Sequence, residues 1–128
     1  MYFTKETDYA VRIVRFLAGH EGRTPAKDIA EGTDVTLRFA LKILNKLVGA
    51  ELVKSYKGIS GGYELAARPQ EINLRQIVET IEGPVGISKC LHEDCGCSTC
   101  DCKVKNIYAD IAQMVNEKLE SHTIDEFM

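Results

Sequence analysis

TPAKDIAEGTDVTLRFALKILNKLV, residues 24–48, places two helical patterns either side of a short polar break. The first part, TPAKDIAEG, reads as a short helix capped by Thr24, started by Pro25 and closed by Gly32. A threonine hydroxyl can accept from the free N–H groups of a first turn, proline lacks the N–H that would go unpaired there, and glycine tolerates the backbone of a helix end. After the break, Val35 to Val48 gives a longer helix with Ala40, Ile43, Leu44, Leu47 and Val48 on one side. Arg38, Phe39, Lys42 and Lys46 are left on or near the other. A short helix, a tight turn and a longer helix with basic residues outward make a helix-turn-helix, whose second helix can enter a DNA major groove.

The flanking segments extend this pattern. Upstream, Thr4 to Ala18 spaces Ala10, Ile13, Val14 and Leu17 as a helix, with Glu6 and Asp8 in the first turn, where the helix dipole favours anions. Downstream, LVKSYKGISGGYELAA reads as two strands, Leu52 to Tyr56 and Tyr63 to Ala66, joined by a turn containing Gly58, Gly61 and Gly62. Glycine can take positive φ without steric cost, so a hairpin follows the helix pair directly and forms a wing. Lys57 beside Gly61 and its neighbours suits close approach to phosphates or to a minor groove. Thr36, Arg38, Phe39 and Lys42 are the candidate contacts from the longer helix.

NLRQIVETIEGP then predicts an amphipathic packing helix, capped reciprocally by Asn73 and Gln76, burying Leu74, Ile77, Val78 and Ile81, and ended by Gly83 and Pro84. Near the C-terminus, Val104, Ile107, Tyr108, Ile111, Met114, Val115 and Leu119 recur at helical spacing. That stripe predicts a long helix that either folds back on the core or packs against a second subunit, and its length and separation by the cysteine loop favour the second subunit. The expected architecture is mainly α with a small β-hairpin: a winged helix-turn-helix with its packing helix over 1–83, a cysteine-rich loop over 84–103, and a dimerisation helix and tail over 104–128.

A chain of 128 residues can bury a core without staples, and 45% hydrophobic with 27% charged residues is an ordinary globular balance. Its apolar runs fall short of a membrane span, and MYFTKETDYA lacks the apolar core of a secretory signal, so a cytoplasmic protein is expected. Net charge is −3, unevenly placed: residues 1–68 carry 11 basic against 8 acidic side chains, and residues 69–128 carry 5 against 11. The front half is the one suited to a polyanion. No Ser-His-Asp set, catalytic carboxylate pair or phosphate loop is legible, since GISGG leads into a strand and not a helix. An enzyme is not expected.

All five cysteines fall within CLHEDCGCSTCDC, residues 90–102, spaced Cys90-x4-Cys95-x-Cys97-x2-Cys100-x-Cys102. In a reducing compartment such a group binds metal or does redox chemistry more readily than it forms structural disulfides. Thiolates are soft ligands that select zinc, copper(I) or iron-sulfur clusters. Zinc fingers and ribbons commonly use two cysteine pairs a dozen or more residues apart, whereas clusters accept loop-borne ligands. An iron-sulfur cluster is therefore expected first, with zinc and free redox thiols as alternatives.

TDYAVR in the first helix, DIAEGTDVTLRFALKILNKLVGAELVKSYKGISGGYELA through the wing, INLRQIVETIEG, and a cysteine loop before a long helix together resemble the Rrf2 family of bacterial winged-helix regulators. The resemblance implies a homodimeric transcription regulator that holds a 2Fe-2S cluster near the dimer helices and reads a palindromic operator. It implies Cys90 and Cys102 as outer ligands and Cys95 or Cys97 as the middle one, with Gly96 at the usual middle position and Cys100 an extra thiol. Asp8 matches the position from which some members supply a fourth ligand to the partner subunit's cluster. Other members use a histidine three residues past the last cysteine, where this chain has Lys105. Leu41 stands where relatives often carry an acidic or amide side chain on the DNA-reading helix.

Overall fold

Among the described residues, 3–86 and 103–128 of a computed structural model, five α-helices enclose an apolar core and a single antiparallel hairpin projects from them. The helices are α1 (Lys5–Ala18), α2 (Ala26–Thr33), α3 (Leu37–Gly49), α4 (Leu74–Glu82) and α5 (Lys103–Glu120). Strands β1 (Val53–Tyr56) and β2 (Gly62–Leu65) pair in the register Val53↔Leu65 to Tyr56↔Gly62. Short 3-10 turns cover Pro69–Glu71 and Ile124–Phe127.

The core is built from the periodic positions of the first three helices. Ile13 and Val14 of α1, Ile29 of α2, and Ile43, Leu44 and Leu47 of α3 are fully buried in one cluster with Val53, Ile72, Ile77 and Ile124. Each such side chain contributes roughly 1.5–3 kcal/mol relative to exposure. Helix ends follow local chemistry where neighbours permit. The Thr4 hydroxyl caps α1 by accepting from the Thr7 N–H, and Asn73 with Gln76 forms the reciprocal cap of α4. Gly83 at φ 79° ends α4 as its sequence predicts.

The start and end of α2 differ from expectation. Thr24 does not cap it: its backbone exchanges two hydrogen bonds with Tyr63, each 2.9 Å, in an isolated antiparallel bridge, and Pro25 takes the cap position without a side-chain bond. Gly32 does not close α2 either. The helix runs on to Thr33 and stops at Asp34, whose φ of 56° is left-handed. Gly32 gives room to the Phe16 ring, with which a Cβ there would collide. Both differences are tertiary: a strand-like partner claims Thr24, and a neighbouring helix claims the space at Gly32.

The C-terminal segment returns to the same core. Ile124 is fully buried, its N–H donates to Ile72 O at 2.9 Å, Asn73 bridges Thr123, and Arg15 Nε donates to Phe127 O at 3.0 Å. The tail after α5 is thus packed on α1 and on the entry to α4. Among the described residues no helix is long and apolar enough to cross a membrane.

The wing is tied to the helices at Gly62. Its φ is 142°, and a Cβ would lie 2.6 Å from Thr24 O and 2.7 Å from Thr24 C, so both backbone angle and space require glycine. Gly58 has φ 96° with open space around it. Gly62→Ala is expected to cost about 3 kcal/mol or more, from backbone strain plus the displaced Thr24–Tyr63 bridge. Gly58→Ala should cost only about 1–2 kcal/mol. Urea denaturation of the two variants checks the order, and equal losses would mean that the bridge does not anchor the wing.

Candidate nucleic-acid interface

The helix-turn-helix presents α3 outward. Thr36 accepts from the Phe39 N–H at 3.3 Å, so its hydroxyl serves first as the α3 cap and stands at the exposed N-terminal end of that helix. Four residues spaced along one helical face, Arg38, Leu41, Lys42 and Asn45, are all exposed. Leu37 is exposed as well. This strip offers a cationic fork, a second cation, an amide and two apolar side chains, a set able to meet phosphates, base edges and thymine methyls. Asn45 and Leu37 were not among the residues expected from sequence, although Asn45 lies seven residues beyond Arg38 and shares its face.

Phe39 and Lys46 are partly engaged by α1. The Phe39 ring meets Tyr9 of α1 edge-on, with centroids 6.0 Å apart, and Lys42 Nζ lies 5.8 Å from its centre. Phe39 remains 44% exposed, so it is shared between the α1 contact and the outer face. Lys46 Nζ donates to Glu6 Oε1 at 2.7 Å, and Lys42 Nζ lies 3.8 Å from the same oxygen. A half-exposed pair of this kind is worth about 0.2–1 kcal/mol, enough to orient α3 on α1 but too little to hold it there.

At the wing, Lys57 and Ile59 are exposed near the tip. Gly61 does not have positive φ; it is required because a Cβ would strike the Tyr56 carbonyl and the backbone of Lys57 and Gly58. Its lack of a side chain closes the turn that presents Lys57. The Arg23 guanidinium lies 3.6 Å from the centre of the Tyr56 ring, a cation–π brace between the loop before α2 and the outer end of β1.

Asp8 lies on α1, exposed, and its side chain has no hydrogen bond or ion pair among the described residues. The cysteines expected to act with it, Cys90, Cys95, Cys97 and Cys102, lie outside the described residues, as does Cys100. Among the described residues no three His, Cys, Asp or Glu side chains gather as a metal site. Glu82, the last residue of α4, accepts from the Thr4 N–H at 2.9 Å and from the Thr4 and Thr7 hydroxyls, both at 2.7 Å. The Thr7 hydroxyl first, then the two Thr4 donors, hold the Glu82 carboxyl below its ordinary range. The depressed value means that this contact contributes fully above the unfolded carboxylate pKa and is lost as pH falls through the folded one.

The apolar stripe of α5 is open from Val104 to Met114 among the described residues, while Val115 and Leu119 are half-buried. Met114 is 68% exposed, Ile107 57% and Val104 51%, with Tyr108 and Ile111 also open, while Ala112, one turn beyond Tyr108 at the edge of the stripe, is buried. α4 packs against α5, and Arg75 of α4 reaches Glu120 of α5 at 2.8 Å.

Comparison with known proteins accounts for this arrangement. The family model Rrf2, described as an iron-dependent transcriptional regulator, matches residues 3–128. The chain is 30% identical over its full length to the HTH-type transcriptional regulator IscR of Aliivibrio salmonicida, covering 77% of that protein. It is 25% identical over its full length to the HTH-type transcriptional regulator NsrR of Shouchella clausii, covering 89% of it. Among solved structures, CymR, described as the global cysteine regulator of B. subtilis, superposes with a TM-score of 0.80 at 26% identity, covering 99% of this chain and 95% of that one. IscR of T. potens gives 0.77 at 26% identity, covering 99% and 85%. With its helix-turn-helix, wing and long C-terminal helix matched end to end, the chain belongs to the Rrf2 family of transcriptional regulators.

Proposed function

We propose that the protein is a dimeric, cytoplasmic DNA-binding regulator whose affinity for a palindromic operator is set by the state of its Cys90–Cys102 segment. The observation that carries this reading is the gathering of all five thiols into thirteen positions between the head and the exposed apolar face of α5. Two copies joined along Val104, Ile107, Ile111 and Met114 would present two α3 helices and two wings. A two-fold reader of that kind matches two half-sites related by the same symmetry. Arg38, Lys42 and Asn45 would read or position on the major groove, with Thr36 and the exposed part of Phe39 at its edge. Lys57 would approach the adjacent backbone from the turn that Gly61 closes.

The donor chemistry fits a 2Fe-2S cluster: soft thiolates are concentrated in one segment, and the exposed Asp8 carboxylate has no competing partner among the described residues. Cys90, Cys102 and either Cys95 or Cys97 would hold it, with Asp8 of the partner subunit completing the set. When bound, such a centre supplies a redox-active site whose mixed soft and hard ligands leave it open to small reactive molecules such as nitric oxide or oxygen. Asp8 stands on the same helix as Glu6 and Tyr9, which touch α3 through Lys46 and Phe39. Engaging Asp8 therefore acts on the helix that holds the reading head.

A second reading is favoured by one comparison. The structural neighbour CymR is described as a cysteine regulator, so direct thiol oxidation, or zinc in place of a cluster, is the alternative occupant of the same role. Anaerobic purification separates the two. A cluster gives visible-region absorbance with iron and sulfide, whereas the alternative leaves a colourless protein, with or without stoichiometric zinc.

On the proposed reading, loaded and stripped protein differ in DNA affinity by about 5–150-fold. Asp8→Ala lowers the stability of the visible absorbance. A colourless, metal-free preparation whose DNA binding ignores thiol oxidation contradicts both readings. For the interface, Arg38→Ala, Lys42→Ala and Lys57→Ala should each weaken binding to duplex DNA. Each that removes a phosphate contact should lower the slope of log affinity against log salt by about 1. Titrations at several salt concentrations check this, and an unchanged slope in all three variants would place the DNA on another face.

A further inference from the structure

The first two turns of α1 are held from two directions. On one side, Glu82 at the end of α4 collects three hydrogen bonds from Thr4 and Thr7. Thr7 is only 2% exposed, so its hydroxyl is a largely desolvated donor to a charged acceptor. The carboxylate also lies at the N-terminus of α1, where the helix dipole favours negative charge. On the other side, Glu6 and Tyr9 from the same turns contact Lys46 and Phe39 of α3.

The placement of Glu82 along the chain matters as much as its bonds. It is the last residue of α4, and Gly83 breaks the helix immediately after it. The chain therefore departs toward residues 87–102 from a point fastened to α1. Asp8 lies one helical turn beyond Thr4.

We propose that Glu82 is the positioning residue that couples the cysteine segment to the DNA-reading helix, by fastening the end of α4 to Thr4 and Thr7 so that both move with α1. The inference rests on the function proposed above and deepens it: it names the contact through which the two sites communicate. Glu82 touches neither DNA nor any ligand in this scheme. Displacing the root of the cysteine segment turns the start of α1, and the Glu6–Lys46 and Tyr9–Phe39 contacts pass that turn to α3.

The test compares wild type, Glu82→Ala and Glu82→Gln in two states, reconstituted anaerobically with iron and sulfide or stripped by a chelator. The probe is a duplex selected by the wild-type protein from a random DNA pool. The readout is the ratio of dissociation constants in the two states, with thermal melting recorded separately. Wild type should show a ratio of about 5–150. In Glu82→Ala the ratio should fall toward one, while Glu82→Gln, whose amide oxygen can still accept from Thr4 and Thr7, retains most of it. A merely structural Glu82 would lower the melting temperature and leave the ratio unchanged, which overturns the inference. Thr7→Val, nearly isosteric and lacking one donor, carries the same comparison where Glu82→Ala does not fold. A wild-type ratio near one overturns the proposed regulation together with this inference, whereas a wild-type ratio preserved in Glu82→Ala overturns this inference alone.

Discussion

The packing of α1 against α3 is the constraint on which the remaining structure depends. Ile13 and Val14 from one helix and Ile43, Leu44 and Leu47 from the other are completely buried. At roughly 1.5–3 kcal/mol each, these side chains far outweigh the half-exposed Glu6–Lys46 pair. Hydrophobic burial therefore fixes that the helices meet. The ion pair and the Tyr9–Phe39 edge contact fix how α3 is turned once they have met.

The same division of labour applies to the wing. β1 and β2 form a four-residue ladder that would be marginal alone. It is joined to the head by the Thr24–Tyr63 exchange, by the buried Val53, and by Arg23 stacked on Tyr56. The wing is thus braced at its base, while Lys57 and Ile59 remain exposed at its tip. Behind the head, the C-terminal turn buries Ile124 beside Ile72, so the helix bearing the apolar stripe is tethered to the core at its far end. A second subunit docking on α5 would be connected to the head by the α4–α5 packing and by that turn.

Much of this was legible from spacing alone, because α1, α3 and α4 bury one face each and their periodic residues mark it. The cap of α4 was readable too, since Asn73 and Gln76 satisfy each other locally. Where the sequence misled, the deciding partner was distant. Thr24 looks like a cap but is claimed by Tyr63, and Gly32 looks like a stop but makes way for Phe16. Phe39 and Lys46 look like outward residues but are partly claimed by Tyr9 and Glu6. Ile124 lies in a short turn with no period to reveal its burial, and Glu82 resembles any solvated acid at a helix end until Thr4 and Thr7 are placed beside it. The cysteines are the reverse case: their chemistry is plain in the sequence, and they lie outside the described residues.

Across these observations the start of α1 is joined to the end of α4 through Glu82 and to α3 through Glu6 and Tyr9, and it carries an exposed carboxylate of its own at Asp8. The central claim is that events at the cysteines reach α3 through the start of α1. Amide hydrogen exchange, followed in the loaded and stripped protein, tests it most directly. The account predicts that protection changes together in residues 4–9 and 38–46 when the cysteine segment changes state. Changes confined to residues 87–102, with α1 and α3 exchanging identically in both states, would contradict it.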